Sequence, residues 1–118
     1  MSHSQFDTAK LHMGTVDVGG PVTVDPPAVL EDVAFQFLIV QGSVQGSVVV
    51  KGEGRGQGSG AKGENGVVGR WSGHATAEPE SLQTEMPTLA LGLGVVAKKD
   101  PPGFETFTWS QQIVLQEA

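Results

Sequence analysis

The sequence has 118 residues, a formal net charge of −6, 17 glycines, 7 prolines and no cysteine. Its length predicts one domain over residues 1–118, large enough to bury roughly two thirds of the surface that the unfolded chain exposes. The lack of cysteine excludes disulfides, zinc–thiolate sites and cysteine nucleophiles, and the acidic balance argues against nucleic acid and anionic membrane surfaces as partners.

The chain shows no targeting or membrane signal. Its first ten residues lack the basic region and the apolar region of a secretory signal, so we expect a cytoplasmic protein by default. The longest apolar run, residues 89–97, is far shorter than the roughly 20 residues that a helix needs to cross a bilayer. We therefore expect no membrane span.

The first quarter of the chain predicts short strands separated by glycine and proline. Apolar residues alternate with polar ones over 9–13 and, with the opposite parity, over 16–18. This pattern predicts two strands with a bulge or bend at Gly14. Gly19-Gly20-Pro21 predicts a turn, and a short strand at 22–24 follows before two prolines end it.

Residues 33–77 predict three consecutive antiparallel strands, around which the rest of the chain is arranged. Side chains alternate between the two faces of a strand, so the parity of the residue number assigns each one to a face. A tight turn at Gly42-Ser43 would place Phe37 opposite Val48 and make one face continuously apolar. The ring of Phe37 should then share one side of the sheet with the ring of Trp71.

The second hairpin of this unit joins a strand whose even positions are glycine to the strand that carries Trp71. A turn at Asn65-Gly66 would place Gly60 opposite Trp71 and Gly56 opposite Ala75, so that small residues on one strand accept the bulky indole of the next. A turn centred two residues earlier would keep the same parity and the same facing. We expect an ordered strand through about Gly56 and a mobile hairpin tip over 58–66, because glycine loses the most entropy on ordering.

The last third of the chain predicts an edge segment and two further strands. Alternation over 82–86 before Pro87 is typical of an edge. Leucines alternate with alanine and glycine over 89–95, which predicts a strand buried on one face and closely covered on the other. After a turn at 98–103, the final strand at 104–116 has an apolar face. The apolar residues of that face are Phe107, Trp109, Ile113 and Leu115.

These elements predict an all-β fold, since no segment shows a sustained helical period. Turn signals recur at short intervals along the whole chain. We therefore predict an antiparallel β-sandwich of about seven to nine short strands, with a barrel as the alternative.

No motif has the structural context that its chemistry requires. Residues 58–63 match G-x-G-x-x-G, but a turn and a strand follow instead of the helix that would hold a pyrophosphate. His3, His12 and His74 are too far apart in sequence to suggest a zinc pair. The pair Glu31-Asp32 lies beside a loop, with no cleft to raise the pKa of one carboxyl. We predict no catalytic residue, no metal and no cofactor, and an enzyme is the less favoured class.

Trp71 and Trp109 each lie on the apolar face of a predicted strand, so we expect both rings in the core. The alternative is an exposed platform for a sugar ring. Aromatic content of 6% and the absence of tyrosine argue against that alternative.

The polar face of the central hairpin brings several functional side chains together. It is either a solvated surface with cross-strand pairs worth about 0.2–1 kcal/mol each, or a recognition patch for a protein partner or an acidic ligand. The candidate binding residues on this face are Glu53, Arg55, Gln57, Arg70, Ser72 and His74.

The preferred interpretation is a non-enzymatic interaction or assembly module that self-associates, because catalytic chemistry is missing and unblocked sheet edges tend to find partners. A sandwich or barrel that binds a sugar or a small apolar molecule is the first alternative. A cofactor-free barrel enzyme is the second, and it would act on an apolar substrate in an interior pocket. That pocket would be lined by Leu89, Leu91, Phe107 and Trp109.

Overall fold

The computed structural model describes residues 2–25, 29–43, 46–63, 66–99 and 101–118, and within these the side chains other than those of 43, 57–63, 66–68 and 99. This part of the chain contains no α-helix and one short 3-10 helix, Leu30–Asp32. Its strands are β1 His3–Ser4, β2 Thr8–His12, β3 Thr15–Val24, β4 Val33–Ser43, β5 Gly46–Gly63, β6 Gly66–Thr76, β7 Pro87–Lys99, β8 Pro102–Val114 and β9 Gln116–Glu117.

The strands belong to a single curled sheet in the order β8-β7-β4-β5-β6-β3-β2-β9, with β1 paired to β3. Because only Leu115 separates β8 from β9, the two ends of this order are consecutive in the chain, and the sheet curls into a half-barrel. The all-β prediction and its barrel alternative are confirmed at this level. The described strands do not divide into the two sheets of a sandwich, and several are much longer than predicted.

The β2–β3 hairpin turns at Met13 and Gly14, whose φ values are +49° and +84°. The bend expected at Gly14 is therefore a tight hairpin turn of the type that needs positive φ at both positions. The turn predicted at Gly19-Gly20-Pro21 is wrong, because β3 runs straight through it and Pro21 pairs with Arg70 of β6. Proline has no backbone N–H to donate to a neighbouring strand. On the side of β3 away from β6, the neighbouring chain is interrupted between β1 and β2, so Pro21 has no ladder partner there.

The β4–β5 register differs from the predicted one by four residues: Phe37 lies opposite Gly52, not Val48. Gly42 and Ser43 pair within the ladder, with Ser47 and Gly46, instead of forming the turn. The reason is steric, since the Phe37 ring occupies the space that a Cβ at Gly52 would need. The longer hairpin supplies a glycine where the ring requires one.

The β5–β6 register up to Gln57 is not that of a turn at Asn65-Gly66, because Gly56 lies opposite Trp71 and not opposite Ala75; it is the register that a turn centred two residues earlier would give. The pairing shifts between Gln57 and Ala61 and continues to Gly63, so the backbone is in a strand well beyond the point where a mobile tip was expected. Of the predicted turn and tip, residues 64 and 65 lie outside the described residues. The facing prediction is confirmed, because the ring centroids of Phe37 and Trp71 are 6.2 Å apart on one side of the sheet.

Residues 82–86 do not form the edge strand that their alternation predicted, and β7 starts at Pro87 in the sheet interior, between β4 and β8. The segment is held by the buried side chain of Gln41. Its Nε2 donates to the Gln83 carbonyl at 2.7 Å and to Thr88 Oγ1 at 2.9 Å, and its Oε1 accepts from the Gln83 N–H at 2.9 Å. The side-chain amide of Gln41 thus bonds the backbone of Gln83 in the way that a neighbouring strand would.

The core inside the curl is built on interlocking aromatic rings. Phe35 stacks on Trp71 with centroids 4.7 Å apart and planes 12° apart, and Phe6 from the N-terminal segment meets Trp71 and Trp109 edge-on or tilted. Trp71 is 1% exposed. Such pairs contribute about 0.5–1.5 kcal/mol each beyond the area they bury. The rings in the cluster are Phe6, Phe35, Phe37, Trp71, Phe107 and Trp109.

Candidate functional site

The convex face of the sheet carries a polar row that crosses five neighbouring strands. Lys10 pairs with Asp17, Asp17 with His74, His74 with Glu53, and Glu53 with Gln36. Directly paired residues point to the same face, about 4.5–5.5 Å apart at Cβ. All five side chains are exposed. The row therefore places acidic, basic and amide groups side by side on one surface.

A shallow groove of about 690 Å³ lies along this row. Its floor includes the backbone of Gly54 and Gly73, between flanking polar residues. The Trp71 ring lies directly beneath, since a Cβ at Gly54 would be 3.0 Å from Trp71 Cε3. The polar side chains that line the groove are Asp17, Gln36, Glu53, Arg55, Ser72 and His74.

Four of the six predicted binding residues line this groove. The predicted adjacency of the two strands is observed, because Glu53 pairs with His74 and Arg55 with Ser72. Gln57 pairs with Arg70 through the backbone, and its side chain lies outside the described ones.

Arg70 does not belong to the groove, because its guanidinium is committed to Asp7. Nη1 donates to Asp7 Oδ2 at 2.8 Å and Nη2 to Asp7 Oδ1 at 2.7 Å. These hydrogen bonds lower the pKa of the Asp7 carboxyl and raise that of Arg70. The bidentate pair fastens the segment between β1 and β2 to the sheet, so Arg70 has a structural role.

Asp17 and Gln36 line the groove but were not predicted. The parity of Asp17 between two buried valines places it on the outer face, so the orientation could have been read from the sequence. Its position beside His74 could not, because that depends on β3 lying next to β6 in the sheet. Strand order is a long-range property.

A second feature of the convex face is an apolar strip on β5, β4 and β7. Val49 is 58% exposed and Leu89 is 44% exposed. In-register pairs join the strip across the three strands, and its members are Leu38, Val40, Val49, Leu89 and Leu91. The strip borders the polar row, since Gln36 of the row and Leu38 of the strip are successive residues on the same face of β4.

The leucines of β7 therefore point away from the core, and the interior pocket predicted from Leu89, Leu91, Phe107 and Trp109 is not formed. The inner face of β7 is covered by rings: the Trp109 indole lies over Gly92, and the Phe107 ring lies over Gly94. Only glycine leaves room for a ring in these positions, so the leucines take the other face. The two halves of the predicted pocket lie on opposite sides of the sheet.

Both tryptophan rings lie on the inner face of the sheet, within the aromatic cluster. Trp71 is buried under Gly54. The ring centroid of Trp109 lies 5.8 Å from that of Phe107 and 5.7 Å from that of Trp71. The buried Nε1 of Trp109 has no hydrogen-bond partner among the described residues. Both rings serve the core, as expected.

The sheet has a long open edge along β8. Thirteen residues of β8 pair with β7. On the other side, β1 contacts β8, and Gln111 Nε2 donates to the Phe6 carbonyl at 3.0 Å while Gln111 Oε1 accepts from the Phe6 N–H. Within the described residues, the backbone over 103–110 is paired with β7 and with no second strand.

Within the described residues, no three His, Asp or Glu side chains are close enough to hold a metal ion, and no helix is long and apolar enough to span a bilayer.

The comparisons with known proteins concern the fold alone. No family model and no curated protein matches the sequence. Among solved structures, the crystal structure of MtrC from Shewanella baltica OS185 is similar over 98% of this chain, with a TM-score of 0.55 and 12% sequence identity. The chain spans 22% of the length of that MtrC chain, so the likeness is to a part of a larger protein.

Proposed function

We propose that this protein is a non-enzymatic, self-associating interaction module. The observation that carries the proposal is the edge of β8, a long strand at the end of the strand order whose ladder partner is β7 alone. Such an edge is a template for pairing with another chain unless it is blocked.

Over 103–110 this edge carries one of the usual blocking devices, the charge of Glu105 on the inner face, and it carries no lysine and no proline there. Pro102 stands at the first position of β8, and the charged residue within 103–110 is Glu105. Its carboxylate is 3.0 Å from Lys98 Nζ on β7, which neutralises it locally. Edges that avoid pairing carry lysine, inward charges, proline or bulges. The β8 edge otherwise carries threonine and aromatic residues, which favour strand pairing.

Light scattering of the wild-type protein over a wide range of concentration tests this function. We expect a species larger than the 12.3 kDa monomer. Thr108→Lys adds a charge to the edge and should shift the protein toward the monomer. Thr76→Lys is the matched control, because Thr76 is also exposed on a strand but lies in the sheet interior. A wild-type protein that stays monomeric at every concentration would contradict the proposal.

A second candidate function is the binding of a small polar ligand in the convex groove. The observation that favours it is the convergence of Glu53, Arg55 and His74 around a glycine floor. Because Trp71 lies beneath this floor, its fluorescence should report on an occupant. Titration with a panel of monosaccharides and dicarboxylates, against Arg55→Ala as control, tests the idea. An unchanged emission spectrum across the panel would remove it.

A further inference from the structure

We infer that the partner of the β8 edge is the β8 edge of a second copy, in antiparallel register with Thr108 on the two-fold axis. This inference rests on the proposed function and makes it specific. It follows from the order of side chains along the edge, from how far each is buried, and from the chemistry each register would bring together.

The inner face of the edge presents two aromatic rings that the monomer covers incompletely. Phe107 and Trp109 pack on the core cluster, yet each is only half-buried, whereas Phe35 and Trp71 are 1% exposed. Both rings belong to β8, the strand at the end of the sheet order. A strand added at that end would extend the core over them, and burial of apolar area is the main favourable term in association.

One antiparallel register pairs both rings with rings. With Thr108 opposite its own copy, Phe107 lies opposite the partner's Trp109 and Trp109 opposite the partner's Phe107. Aromatic pairs across neighbouring strands stabilise the pairing of those strands relative to alanine pairs. Centring the pairing on Phe107 would place Glu105 opposite Trp109, and centring it on Trp109 would place Phe107 opposite Gln111. Neither pairs both rings.

The same register also matches the outer face. Thr106 lies opposite the partner's Ser110, and the two Thr108 side chains meet on the axis, so hydroxyl residues face hydroxyl residues. Glu105 lies opposite the partner's Gln111, which carries no charge. No like charges meet within 105–111, and the Gln111 amide already occupied by Phe6 marks where the paired region ends.

The chain lacks cysteine, so single-cysteine variants report on this register without background. Thr108→Cys should form a disulfide-linked dimer under mild oxidation roughly tenfold or more faster than the control Thr76→Cys, because pairing raises the effective concentration of the two thiols. Thr106→Cys and Ser110→Cys should each cross-link poorly alone and readily when mixed, because the register places each opposite the other.

The outcomes separate the inference from the function on which it rests. If light scattering shows a dimer but Thr108→Cys cross-links no faster than Thr76→Cys, self-association stands and this edge or register is wrong. Efficient cross-linking of Thr106→Cys with itself would likewise overturn the register. A wild-type protein that remains monomeric, including one whose β8 edge pairs with a different protein, overturns both.

Discussion

The ring of Phe37 lies against the backbone of Gly52, the residue directly opposite it on the next strand. A Cβ at Gly52 would be 2.6 Å from Phe37 Cε1, closer than any real Cβ approaches a ring carbon. The same relationship recurs where Trp109 lies over Gly92 and Phe107 over Gly94. Aromatic rings therefore pack directly over alternate glycines of the sheet, in the space that a side chain would fill.

Gly52→Ala should destabilise the fold by about 1–3 kcal/mol, because the added methyl forces the Phe37 ring or the strand to move. The measurement is the free energy of unfolding in urea. Gly42→Ala is the control on the same hairpin, since its nearest neighbour to an added Cβ is Ser47 Oγ at 3.9 Å. Equal losses of unfolding free energy for the two substitutions would contradict the packing of the Phe37 ring over Gly52.

Trp71→Ala should cost roughly 3–5 kcal/mol, since it removes the largest fully buried side chain and leaves a cavity beneath the groove. Phe104→Ala is the control, because Phe104 is 77% exposed and should change stability by no more than about 0.5 kcal/mol. Urea unfolding followed by circular dichroism measures both. A small loss for Trp71→Ala would mean that the ring is not the centre of the core.

Gln41→Ala should destabilise by about 1–3 kcal/mol, because it leaves the Gln83 backbone groups without the partners that now satisfy them. Hydrogen exchange should also show faster exchange of the Gln83 amide. Gln36→Ala, at an exposed position of the same strand, is the control and should alter neither quantity. Unchanged protection of Gln83 would contradict the contact.

The ion pair between Asp7 and Arg70 makes stability depend on pH in the acid range. The pKa of Asp7 is lowered from 3.8 in the folded protein, mainly by the hydrogen bond from Arg70. A lowered folded pKa gives a contribution that is complete well above pH 3.8 and is lost as the pH falls through the lowered value.

Asp7→Asn should therefore make stability depend less on pH in the acid range. It should also speed hydrogen exchange of the Phe6 amide, because the ion pair of Asp7 fastens the segment that carries Phe6 to the sheet. The control is Asp17→Asn, an exposed aspartate in the polar row. Because both partners of the pair are partly exposed, salt should weaken the effect. A profile of Asp7→Asn that matches the wild type would show that the pair does not couple to folding.

Much of the local structure could be predicted from alternation alone. It assigned Phe37 and Trp71 to one face, and it placed Glu53 and Arg55 on the polar face beside Ser72 and His74. The β4–β5 register was wrong, and the β5–β6 register stayed open between two turn positions, because several turn positions keep the same parity and only the fit of a ring over a glycine chooses between them. The residues that line the groove were predicted only in part. Asp17 was missed because it lies beside the groove only when β3 is placed next to β6.

The sequence by itself determined that this protein is made of strands and which residues share a face, because the two-residue period of a strand is a local geometric property. Tertiary structure alone decided which face points inward, in what order the strands lie and which edge stays open. Leu89 shows why: its alternation suits either face, and the space over Gly92 and Gly94 was taken by rings from a strand more than a dozen residues away.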